Sequence, residues 1–128
     1  RIYAADRVEA YRRLLAGGMR QDLAALDTAA AELGYFQQGI RADHRRMVLD
    51  IFLLACEPLR QQGAYDFGHS SLAVRMREAG MRLGYDRDFW HTPPIDALFL
   101  HRKIGGLYLL AARLGARVDI RALFLQHA

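Results

Sequence analysis

The chain has 128 residues, 52% hydrophobic and 25% charged, which fits one globular unit with a core that needs no disulfide or metal. Its single cysteine excludes an internal disulfide and points to a reducing, cytosolic setting, and no apolar run is long enough to span a bilayer. The net charge of +4 comes from scattered residues, of which only Lys103 is a lysine, so it reads as the imprint of a GC-rich genome and argues against a nucleic-acid-binding stripe.

Apolar spacing is helical nearly throughout, and a strand content near zero is expected. A first helix is predicted from Asp6 to Ala16, with Asp6 as cap, Glu9 completing a box-like start and Gly17-Gly18 as the stop. Val8, Tyr11 and Leu15 form its apolar face. A second helix runs from Arg20 to Leu33 on a stripe of Leu23, Leu26, Ala30 and Leu33, and ends at Gly34. Tyr35 to Ala42 is a connection. A third helix runs from Asp43 to Gln62, burying Met47, Val48, Ile51, Phe52, Leu54 and Ala55, with a kink or break at Pro58.

Gly63 to Ser70 reads as a loop, and Ser70 or Ser71 caps a fourth helix carrying Leu72, Met76, Ala79 and Leu83. Tyr85 to Thr92 is a second connection. Pro93-Pro94 opens a fifth helix that continues to Leu114. Within it, Ile104 to Ala112 is apolar on every side and is expected to be buried on most of them. Gly105-Gly106 costs this helix roughly 1 kcal/mol per glycine, and a close backbone approach would repay it. Gly115 is the stop, and Asp119 caps a last short helix through Leu125.

The motifs are incomplete as chemistry. Asp66-Phe67-Gly68 matches the kinase triplet whose Asp holds magnesium, and His101-Arg102 the start of the catalytic loop. Their order is reversed, Lys103 stands where the catalytic Asp belongs, and no Gly-rich phosphate loop precedes them. A turn begun by Asp66 and anchored by aromatics is the better reading. His44, His69, His91, His101 and His127 lack metal-ligand spacing, and Cys56 reads as a small core or near-surface residue. His69-Ser70-Ser71 sets a base beside hydroxyls, but helix capping explains the serines. His101, Arg102 and Lys103 are the one basic cluster in an apolar helix. At least one of them is expected to face inward or lie along an interface, with Asp96, Glu57 or Asp50 as carboxylate partner of Arg102.

The segment Pro93-Pro94-Ile95-Asp96-Ala97-Leu98-Phe99-Leu100-His101-Arg102-Lys103-Ile104-Gly105-Gly106-Leu107-Tyr108, continuing through Arg113-Leu114-Gly115-Ala116-Arg117-Val118-Asp119, resembles the C-terminal end of the UbiB/AarF family. These are atypical kinase-like proteins linked to ubiquinone and other isoprenoid-lipid metabolism. The resemblance covers essentially the whole chain, strongly from Pro93 to Phe124 and loosely before. It implies an all-α chain of five to six helices, packed as the C-terminal helical subdomain of a protein-kinase-like C-lobe. Residues 1–128 would be one subdomain of a longer chain, with the nucleotide loop, strand Lys, catalytic Asp and magnesium triplet upstream of Arg1. His101, Arg102, Gly105, Gly106, Pro93 and Pro94 would then be structural. This piece would hold no catalytic, cofactor or metal site, whereas ATP and magnesium would belong to the parent. Expected partners are the upstream lobe and a second copy, with no nucleic acid. The parent would be cytoplasmic and close to a membrane. A stand-alone helical interaction module is the alternative. A self-contained enzyme is a third reading, which requires a pocket where His69 or His101 meets a carboxylate.

Overall fold

A computed structural model describes residues 4–36, 39–85 and 95–127, and the side chains of 5–36, 39–82 and 102–126. Among the described residues there are seven α-helices, one 3-10 turn and a sheet of two strands with two residues each. The expected all-α class holds.

Helix α1 spans Ala4–Arg20 and is longer than its sequence signals suggest. Asp6 lies inside its first turn and does not cap it. Glu9 is taken by Arg12, 2.6 Å away, so the expected capping box is absent. The helix runs through Gly17 and Gly18 because both serve close packing. A Cβ on Gly17 would lie 3.2 Å from the Leu26 nitrogen, and one on Gly18 would overlap the Cys56 side chain. The stop comes instead at Gln21, a non-glycine residue at φ 56°. Asp22 N–H then bonds the Gly17 carbonyl at 2.9 Å, turning the chain back sharply. The buried face is also rotated from the expected one. Ala10, Leu14 and Ala16 are buried, whereas Val8 is 70% exposed and Leu15 lies at the surface.

Helix α2, Leu23–Glu32, starts on Asp22, whose carboxylate accepts the Ala25 N–H at 3.1 Å, and is followed by Gly34 at φ 84°. Leu26, Ala29 and Ala30 face α1 and α3. Helix α3, Ala42–Ala55, supplies Val48, Leu49, Ile51 and Phe52 to the same core, and Tyr35 packs on Phe52 with ring centroids 5.1 Å apart. Pro58 breaks the predicted long helix, leaving α4 as Glu57–Arg60. The break has a use. It brings Arg60 round to donate to the carbonyls of Gly18 at 3.0 Å and Leu53 at 2.8 Å. Both lie near helix C-termini, whose carbonyls otherwise lack donors.

A second core forms around Tyr65, Phe67, Leu72 and Met76, packed by Ile104, Tyr108, Ala111, Val118 and Ile120. Burying a side chain such as Leu72 or Met76 stabilises by about 1.5–3 kcal/mol. Strand β1, Tyr65–Asp66, pairs antiparallel with β2, Arg117–Val118, in the register Tyr65 to Val118. A 3-10 turn, Phe67–His69, leads to α5, Leu72–Tyr85. Helix α6, Ile95–Arg113, ends ahead of Gly115 at φ 63°, and α7, Ile120–His127, is capped by Asp119, which accepts the Ala122 N–H at 2.9 Å.

The expectation for α6 fails in one respect. Ile104 to Ala112 is not buried on most sides. Ile104, Tyr108 and Ala111 pack inward, but Leu107 is 62% and Leu110 53% exposed. Among the described residues Gly105 and Gly106 receive no close neighbour, since a Cβ on either would meet no described atom within 4 Å. Pro93, Pro94, His91 and the connection over residues 86–92 lie outside the described residues, as do the side chains of Asp96 and His101.

Candidate functional site

The junction of α4, β1, the 3-10 turn and α5 holds the densest polar network of the described residues. It borders an open cavity of about 540 Å³ lined by Glu57, Arg60, Gln61, Tyr65, Asp66, His69 and Ser70. Two anionic centres organise it.

The first is Glu57 at the start of α4. Arg75 of α5 grips both of its oxygens at 2.8 Å. Tyr65 donates its hydroxyl to the same carboxylate at 2.5 Å. The Arg75 guanidinium, helped by Tyr65, holds the Glu57 carboxyl below its usual pKa. Burial and then the hydrogen bond to Glu57 push the Tyr65 phenol up, so it stays protonated and donates. Ser70 Oγ lies 2.5 Å from Tyr65 Oη and accepts the Leu72 N–H at 3.0 Å. Of the two serines offered as the cap of α5, Ser70 is therefore the one whose hydroxyl takes a first-turn N–H. Its hydrogen bonds run to the tyrosine and the cap, so His69-Ser70 is not a base with its nucleophile.

The second centre is Asp66. Its Oδ1 accepts the Gly68 N–H at 3.1 Å, closing the turn expected of Asp66-Phe67-Gly68. Its Oδ2 lies 2.8 Å from His69 Nδ1 and 3.3 Å from the Arg117 guanidinium on β2. The His69 hydrogen bond, with Arg117 beyond, lowers the Asp66 pKa. Phe67 is buried between Tyr65 and Tyr108, with centroids 4.8 Å and 5.3 Å away. Gly68 has a backbone reason, because a Cβ there would come within 2.9 Å of the Gly115 Cα. His69 thus meets a carboxylate at the edge of a cavity, as an enzyme reading requires. The His69 side chain, however, is 83% exposed and bonds Asp66, while the Ser70 hydroxyl is engaged with Tyr65 and the Leu72 N–H.

The remaining sequence candidates separate. His44 is buried in α3. Cys56 is buried beneath Gly18, and burial pushes its thiol up to about 11. No group of three or more His, Cys, Asp or Glu among the described residues could hold a metal ion. Arg102 and Lys103 are exposed, so neither is the inward-facing cation of the basic cluster. Two of the carboxylates suggested for Arg102 bond elsewhere, Glu57 to Arg75 and Asp50 to Arg46. The Glu57–Arg75–Tyr65 network escaped sequence reading. Its only hint was Pro58, which places Glu57 at a helix start.

No helix among the described residues is long and apolar enough to cross a membrane. No family model matches the chain. It is 30% identical over 131 residues to the atypical kinase COQ8, mitochondrial, of Saccharomyces cerevisiae, an alignment covering 97% of this chain and 25% of that protein. The protein of the same name in Schizosaccharomyces pombe is 27% identical over 124 residues, 91% of this chain and 19% of the relative. The atypical kinase COQ8B, mitochondrial, of Rattus norvegicus is 34% identical over 76 residues, 59% of this chain and 14% of the relative. The chain therefore spans a quarter or less of the length of these curated relatives. Together with the helical architecture, these matches show that the chain belongs to the UbiB/AarF family of atypical kinase-like proteins.

Proposed function

We propose that this chain is the C-terminal helical subdomain of an atypical kinase or ATPase of ubiquinone or isoprenoid-lipid metabolism, and that it supports the catalytic lobe without carrying chemistry. The observation behind this reading is the near-complete alignment of the chain with a quarter of an atypical kinase. The polar network agrees with it. Asp66, the aspartate of the kinase-like triplet, already bonds Gly68 N–H, His69 and Arg117. A carboxylate surrounded by donors and cations is a poor magnesium ligand, which needs carboxylate oxygens backed by further anions or phosphates.

ATP and magnesium then belong to residues of the parent outside these 128. The parent would act beside a membrane, where isoprenoid lipids reside. His101, Arg102, Gly105, Gly106, Pro93 and Pro94 would be structural positions of the helical lobe. Calorimetric titration of this chain with magnesium ATP should give no binding heat, whereas the full-length gene product should bind. Binding by this chain, or a gene with no nucleotide-binding lobe, would overturn the reading.

A further inference from the structure

The outward side of α6 has the makings of a packing surface. Lys103, Leu107, Leu110 and Leu114 follow one another at helical spacing, with Arg102, Gly106 and Arg113 alongside, and all are exposed. Leu114 is 73% exposed. Three leucines in a row at helical spacing are the sign of a buried stripe.

Gly106 lies on this same face. Glycine costs a helix roughly 1 kcal/mol relative to alanine. Among the described residues nothing approaches it, since a Cβ there would meet no described atom within 4 Å. A small residue beside a leucine stripe lets a second helix come closer than the usual interaxial distance of about 8–10 Å. A lipid surface gains nothing from the missing side chain, so the glycine favours a helix over a bilayer.

Charge narrows the occupant further. On the described α6 face the charges are Arg102, Lys103 and Arg113 with no carboxylate among them, and the segment from Arg102 onward balances at +4 even though Arg117 within it pairs with Asp66. The whole chain also carries +4, so the preceding residues cancel. A second copy packed face to face would set like charges together. An acidic helix would not.

We propose that the outer face of α6 docks an amphipathic helix with acidic flanks from another part of the same polypeptide. This rests on the reading that the chain is one part of a longer kinase-like protein. The test uses the full-length gene product, with a photo-crosslinking amino acid at Leu110 and mass-spectrometric mapping of the captured peptide. The expected capture is an intramolecular segment with leucine-type residues at helical spacing and flanking Asp or Glu. Gly106→Leu should lower the yield about tenfold, equivalent to about 1.4 kcal/mol. It should do so with an unchanged far-UV circular dichroism spectrum, because the site has room within its own chain. The pair Arg102→Glu and Arg113→Glu should lower the yield several-fold at low salt and less at high salt. Capture of a second copy, a separate protein, a lipid or a segment without acidic flanks would overturn the proposal. So would no capture, or a yield indifferent to Gly106→Leu. If the gene product binds ATP and Leu110 still captures no acid-flanked helix, the docking site is wrong and the kinase reading stands.

Discussion

Gly18 and Gly105 are the same residue type in helix interiors, yet their surroundings differ completely. A methyl group at Gly18 would overlap Cys56, where the C-terminal half of α1 crosses the end of α3. One at Gly105 would meet no described atom within 4 Å. Gly18→Ala should therefore destabilise the chain by about 1–3 kcal/mol through overpacking. Gly105→Ala should stabilise it by about 1 kcal/mol through helix propensity. Urea denaturation of the two variants checks both signs, and equal shifts would contradict the packing described for Cys56. The sequence shows why this was hard to read. Gly17-Gly18 looks like a helix stop because the residues that require it, Leu26 and Cys56, come from other elements. Gly34 and Gly115 were legible because their positive φ serves a turn beside their own helix.

At the level of elements, the caps were legible in part, since those of α5 and α7 held, whereas Asp6 lies inside α1 and the Asp22 cap of α2 was not read. Asp119 accepts the Ala122 N–H, and of the two serines offered for α5 it is Ser70 whose hydroxyl accepts the Leu72 N–H. Asp119→Ala should cost about 1 kcal/mol and fray α7 first, read as loss of amide protection confined to Ile120–His127. Burial in α6 was less legible. Its run from Ile104 to Ala112 is apolar all round and has no preferred side, so the side facing Phe67 and Met76 could not be read from spacing. The Glu57 clamp carries a pH signature. Its carboxyl is held below the ordinary value of 4.5, chiefly by Arg75. A carboxylate with a depressed folded-state pKa adds stability above its unfolded pKa and loses it as pH falls through the folded one. The wild type should therefore weaken progressively below 4.5. Glu57→Gln should be less stable near neutrality by about 1 kcal/mol after solvent screening, and should show a flatter acid slope. Parallel slopes for the two proteins in chemical denaturation below neutrality would refute the clamp.

On the scale of the whole molecule, two cores share the helical frame. One joins α1, α2 and α3, and the other gathers β1, α5, α6 and α7 around Phe67. Helical class was legible from periodicity, and family from the segment after Pro93. The second core was not, because its members come from both sides of a long gap in sequence. Its closure is a single backbone seam. Tyr65 and Asp66 pair with Val118 and Arg117, and Phe67 N–H bonds the Ala116 carbonyl at 2.9 Å. These partners meet only after the intervening chain has folded back, which makes the seam a late, non-local contact. The Phe67 amide proton can exchange with deuterated solvent only when that seam parts. Its exchange rate should match the rate for the amides of the β1–β2 pair and lag far behind none of them. One proton at Phe67 thus serves as a clock for the opening of the seam that joins β1 to β2.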